Sequence, residues 1–236
     1  SFTVPVGLLY GLFGPNGSGK TTTMRLIAGL WVPDCGKIAV LGETRSSCLQ
    51  GRIGYLPEER GIYKKMTVRA LLIFHAELRG VQNASVQIDR WIERLSLSHV
   101  ASDIVESLSK GMTQKVQFIA AVIGEPRLII LDEPLSGLDP VSAETIRTAI
   151  LQLRREGATI VLSTHELAMA EQMCERILMI FPGRKVLDGS LLEIQRRFGT
   201  DTIQVCVDGG AAVFDAVFLA VSGVLLYLDL SPQGIC

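Results

Sequence analysis

Residues 14–21 read Gly-Pro-Asn-Gly-Ser-Gly-Lys-Thr: a glycine, four residues, then Gly19-Lys20-Thr21. Few local patterns constrain a fold more. The apolar segment 6–13 runs straight into this loop, and a helical pattern follows it to residue 30, so the spacing predicts a buried strand, a glycine loop and a helix in that order. Glycines let successive backbone N–H groups turn inward as an anion nest, and the next helix adds the positive end of its dipole. A triphosphate is the natural guest. Lys20 would act as a point charge between its outer phosphates, and the Thr21 hydroxyl would ligate magnesium, a hard cation that prefers oxygen. The candidate nucleotide contacts are Gly14, Pro15, Asn16, Gly17, Ser18, Gly19, Lys20, Thr21 and Thr22.

Phosphoryl chemistry also needs an acidic residue at the end of a neighbouring buried strand, and residues 127–131 are an apolar run ending in Asp132-Glu133. Asp132 would hold the magnesium through water, and Glu133 could orient or deprotonate the attacking water at the terminal phosphate.

Further strand patterns fall at 37–41, 52–56 and 159–163, and helical patterns at 112–123, 141–155 and 166–174. Apolar residues at three and four residue spacings from 67 to 99 predict a helical insertion. Strands alternating with helices imply a parallel sheet covered on both faces. After Arg197 the pattern changes to strand 202–207, helix 211–221 and strand 224–230, a small β-α-β appendage.

Four more segments narrow the class. Leu108-Ser109-Lys110-Gly111-Met112 followed by Gln114-Lys115-Val116 resembles the ABC signature loop, Ser136-Gly137-Leu138-Asp139 the D-loop, and Ser163-Thr164-His165-Glu166 the switch-histidine motif. Residues 53–57 resemble the lead-in to the Q-loop. Together they resemble an ABC transporter ATP-binding subunit, and the phrase from Tyr55 to Tyr63 looks most like the sodium-exporter-like branch of bacterial exporters.

The resemblance implies a P-loop ABC-type α/β fold whose first strands lie upstream of residue 1. An ATPase domain would span 1–198, with a helical subdomain at about 63–105 and an accessory domain at 199–236. ATP and Mg2+ would be its ligands. Two nucleotide domains, identical or different, would meet head to tail, with Ser109 and Gly111 of one capping the nucleotide of the other and Asp139 at the same seam. His165 would contact the terminal phosphate beside Glu133. Glu58 stands where the wider family has glutamine, and is the third candidate metal ligand with Thr21 and Asp132. Met112 stands where the wider signature has glutamine. A membrane-spanning permease would dock near Ile62 and Met66, holding the chain at the cytoplasmic face of the membrane.

Composition bears on the alternatives. With 23 Lys and Arg against 24 Asp and Glu the net charge is -1, so the global field gives nucleic acid no strong attraction. A soluble ABC ATPase acting on ribosomes or nucleic acid is the competing reading, but neither heptads nor a basic stretch is present. A small-molecule kinase would leave the signature loop without a role. The mean hydropathy of +0.34 is high, which suggests surface hidden against partners. The longest uncharged apolar run, 216–228, is shorter than the roughly 20 residues a membrane helix needs. The five cysteines, Cys35, Cys48, Cys174, Cys206 and Cys236, are scattered and lack metal-ligand spacing, as suits a reducing compartment.

Overall fold

Strand β1, Leu9–Phe13, lies inside a six-stranded sheet of order β2-β3-β4-β1-β5-β6. The structure is a computed structural model and describes residues 1–44, 51–58 and 61–198. The other strands are β2 (Ile53–Leu56), β3 (Leu128–Asp132), β4 (Thr159–Thr164), β5 (Arg176–Phe181) and β6 (Arg184–Ser190). β1 pairs in parallel with β4 and β5, and β3 in parallel with β2 and β4. Every residue of β3 and β4 is buried, as expected where helices cover both faces of a parallel sheet.

The register sets where chemistry can occur. Phe13 lies opposite Thr164, Asp132 opposite Ser163 and Leu56 opposite Leu131. The carboxyl ends of β1, β2, β3 and β4 therefore share one sheet edge, where open α/β sheets bind their ligands. The core beneath this edge joins Tyr10, Leu12, Met24, Ile130, Val161 and Leu178.

Helix starts follow from capping chemistry. In α2 (Val68–Leu78) the Thr67 hydroxyl accepts from Ala70 N–H, and in α4 (Lys110–Val122) the Ser109 hydroxyl accepts from Met112 N–H. In α5 (Pro140–Arg155) Asp139 accepts from Ser142 N–H and Pro140 opens the helix. Helix α1 (Lys20–Ile27) begins after Gly19 with no side-chain cap, which leaves its first N–H groups to a ligand. The insertion comprises α2, α3 (Ser85–Arg94) and the short 3-10 turns Ser98–Val100 and Val105–Ser107. Helix α6 (Leu167–Met173) follows β4.

Two expectations change. Segment 37–41 is no strand: it makes one antiparallel bridge, Val40 to Glu43, around Leu41-Gly42, both at positive φ. Conversely, β5 and β6 form a hairpin through Pro182-Gly183 that sequence patterning left unassigned. Phe2 lies outside any strand and stacks on Tyr10 with ring centroids 6.1 Å apart.

The chain divides into two units, Ser1–Asp188 and Gly189–Cys236. In the second, Ser190 and Glu193 form a reciprocal cap at the start of α7 (Leu191–Phe198): Ser190 N–H donates to Glu193 Oε2 at 2.8 Å and Glu193 N–H to Ser190 Oγ at 3.2 Å. The β-α-β pattern expected after residue 201 lies outside the described residues.

Candidate active site

The glycine loop joins β1 to α1. Gly17 and Gly19 have φ of 78° and 104°, and Ser18 N–H donates to Pro15 O at 3.1 Å, closing the turn. Gly14 is buried, with room for no side chain: a Cβ there would lie 2.3 Å from Ile180 O and 2.7 Å from Ser18 Oγ. Gly183 N–H, in the β5–β6 turn, donates to Ser18 O at 3.0 Å, so the unexpected hairpin braces the loop from behind. Pro15, Asn16, Gly17 and Thr22 face outward.

Lys20 is only 6% exposed. Its ammonium donates to Gly14 O at 2.7 Å and Pro15 O at 3.3 Å, and lies 3.5 Å from Glu133 Oε1. Glu133 Oε2 lies 3.0 Å from His165 Nδ1, at the end of β4. Glu133 thus stands between a cation and an imidazole, where a water could be oriented at a phosphate in the loop.

Thr21, Asp132 and Glu58 also converge. The Thr21 hydroxyl donates to Glu58 Oε2 at 3.3 Å. Asp132 is fully buried, and its Oδ2 has no hydrogen-bond partner. Burial pushes its carboxyl above the usual carboxylate range, against the hydrogen bond from Ser163 and the nearby Thr21 hydroxyl, which lower it. An orphaned buried carboxylate oxygen beside a hydroxyl and a second carboxylate is an all-oxygen set that fits Mg2+.

Ser109, Gly111 and Asp139 make a second cluster, where α4 meets α5. Ser109 is exposed at the α4 N-terminus, and a Cβ on Gly111 would lie 2.5 Å from Ser142 Oγ and 3.0 Å from Asp139 Oδ2. Hydrogen bonds from backbone and hydroxyl of Ser142 hold the Asp139 carboxyl below its usual range.

Sequence reading gave no role to Ser163. Its buried hydroxyl donates to Asp132 Oδ1 at 2.5 Å and accepts from Glu133 N–H at 2.9 Å, touching both acidic residues. A polar pair, Ser163-Thr164, ending a fully buried apolar strand was the available signal. Gln114 was read only as part of the run completing the signature segment, with no role of its own; its side-chain amide donates to Pro134 O at 3.1 Å.

Fold and site together define a phosphate-loop nucleoside triphosphatase. The ABC transporter family model matches residues 1–136. The chain is 42% identical over 207 residues to the uncharacterized ABC transporter ATP-binding protein YhaQ of Bacillus subtilis, covering 87% of this chain and 70% of that one. It is 36% identical over 211 residues to the Nod factor export ATP-binding protein I of a Rhizobium species, covering 87% and 69%. A solved structure of an ATP-binding subunit of an ABC transporter superimposes with a TM-score of 0.78 at 33% identity, covering 84% of this chain and 85% of that one. The chain belongs to the ABC transporter family, as an ATP-binding subunit that hydrolyses ATP. Such subunits generally work with membrane-spanning partners. Among the described residues no helix is long and apolar enough to cross a membrane itself.

Proposed function

We propose that this chain powers export: it binds ATP with Mg2+ at the glycine loop, closes on a second ATPase subunit, and drives a membrane-spanning permease from the cytoplasmic face of the membrane. The observation that carries the reading is the convergence of Lys20, Glu133 and His165, with Glu133 3.5 Å from the lysine and 3.0 Å from the histidine. The direction of transport is supported by the Rhizobium relative, itself an export protein by name.

In this reading the N–H groups of Gly14, Pro15, Asn16, Gly17, Ser18, Gly19 and the first turn of α1, with Thr22 alongside, cradle the phosphates. Lys20 leaves the carbonyls of Gly14 and Pro15 for the outer phosphates. Thr21, Asp132 and Glu58 would hold Mg2+, which neutralises charge on the phosphate oxygens during transfer. Glu133 takes the proton of the attacking water, and His165 orients both. Water is excluded by the partner subunit, whose Ser109 hydroxyl and Gly111 N–H cap the terminal phosphate, with Asp139 fixing that corner. A second copy of this chain supplies this lid. The apolar residues Ile62 and Met66 at the edge of the insertion receive the permease.

The test is light scattering of the full chain carrying Glu133→Gln, which keeps side-chain volume but not the base. With magnesium and ATP it is expected to run as a dimer, and without nucleotide as single chains. Single chains at saturating nucleotide overturn the sandwich.

A further inference from the structure

Glu133 is one of few non-glycine residues with positive φ, at 48°. A side chain in this left-handed region costs about 1–2 kcal/mol, and such strain persists only where the surroundings hold it. Pro134 follows, so the next residue offers no N–H to secure the turn. Two buried side chains hold the backbone just before and just after Glu133 in the chain. Ser163 Oγ accepts from Glu133 N–H at 2.9 Å, and Gln114 Nε2 donates to Pro134 O at 3.1 Å. Because a carbonyl can only accept, the Gln114 amide can face it only through its nitrogen.

Gln114 lies on α4, five residues beyond Ser109, and is 4% exposed. The first turn of α4 is packed on the same segment that follows Glu133. Gly111 sits against Ser142 and Asp139, and the Lys110 ammonium occupies the space beside Gly137, 2.2 Å from where a Cβ would stand. The start of α4 cannot shift without carrying residues 133–142 along or breaking these contacts.

We propose that Gln114 is a positioning residue for Glu133, tying the signature helix of each chain to that chain's own hydrolytic carboxylate. The inference rests on the proposed base role of Glu133. When Ser109 engages nucleotide across the seam, the position of α4 is passed through the Gln114–Pro134 hydrogen bond to the strained Glu133 peptide. Gln114 touches no phosphate, so its loss leaves ATP binding intact and loosens the aim of the carboxylate.

The test uses the full chain with Gln114→Met, which keeps length and packing without an N–H donor, and Gln114→Leu as a second donor-free variant. The turnover number is expected to fall roughly tenfold or more, because a small misplacement of a reacting group is costly, while KM for ATP stays within about twofold. In a Glu133→Gln background, Gln114→Met is expected to lower the residual rate no further, since both changes act through one carboxylate. Wild-type turnover in either folded donor-free variant, or a loss that multiplies fully with that of Glu133→Gln, overturns the proposal. Wild-type turnover in Glu133→Gln alone would instead remove the base role on which it rests.

Discussion

His165 Nδ1 lies 3.0 Å from Glu133 Oε2, and the imidazole is 41% exposed while the carboxylate is buried. With a proton on Nδ1 the ring donates to Glu133 and holds the carboxylate from the exposed side. Bonding a terminal phosphate at the same time would require a proton on Nε2 as well, since phosphate oxygens only accept. His165→Ala is expected to lower the turnover number about 100-fold, at the low end of what a positioned acid-base group contributes. Nucleotide affinity should change only a few-fold. Phosphate release and equilibrium nucleotide binding check the two halves separately, and an unchanged rate would detach His165 from the reaction.

Among the described residues, Ser163 is the single side chain that bonds to both acidic residues. Ser163→Ala leaves Asp132 Oδ1 without its donor and Glu133 N–H without its acceptor, both buried, at a cost of about 1–3 kcal/mol for each unsatisfied group. The expected result is a lower denaturation midpoint together with slower phosphate release. Ser163→Thr keeps the hydroxyl and suits a strand, so it should recover much of the rate. Equal rates in the alanine and threonine variants would mean that the hydroxyl does not serve the site.

How much of this was legible beforehand follows from what each signal depends on. β3 and β4 were readable because apolar runs ended at Asp132-Glu133 and at Ser163-Thr164, and α5 because its apolar residues recur at helical spacing. β6 was not, since Arg184, Lys185 and Asp188 interrupt its apolar pattern and much of it is exposed; β5 carries an unbroken apolar run after Arg176 and went unassigned despite that signal. Segment 37–41 carried a strand-like apolar run that is realised only as the Val40–Glu43 bridge. Lys20, Glu133 and His165 were found through motifs. The duties of Ser163 and Gln114 were hidden because they arise from tertiary pairing: the register of Asp132 against Ser163, and the seat of α4 on the carbonyl of Pro134.

The loop glycines separate two reasons for glycine. At Gly14 an added Cβ meets Ile180 O at 2.3 Å, a backbone atom that cannot swing aside, so Gly14→Ala must displace the loop from β5. At Gly17 nothing lies within 4 Å, and the cost of Gly17→Ala is the left-handed φ of 78° alone, about 1–2 kcal/mol. Gly14→Ala is expected to abolish nucleotide binding, and Gly17→Ala only to weaken it. Nucleotide titrations of the two variants give the order, and the reverse order would contradict the packing of the loop on β5.

High pH should reach the fold through β1 and its neighbours. Burial pushes the Cys174 thiol from its usual 9.0 up to about 12, with the nearby Glu175 carboxylate adding to the shift. Burial, reinforced by the hydrogen bond to Asp188, likewise raises the Tyr10 hydroxyl above its usual 10.0. Both groups ionise more easily in the unfolded chain. The stability they contribute is therefore complete below about pH 9 and is lost as pH rises toward the folded values. Unfolding by urea at pH 8, 9, 10 and 11 should show stability falling across the last three. Cys174→Ala, which leaves a small void beside Gly11 at every pH, should make that fall shallower while lowering the plateau. An equally steep fall in Cys174→Ala and in Tyr10→Phe would place the alkaline sensitivity elsewhere in the chain.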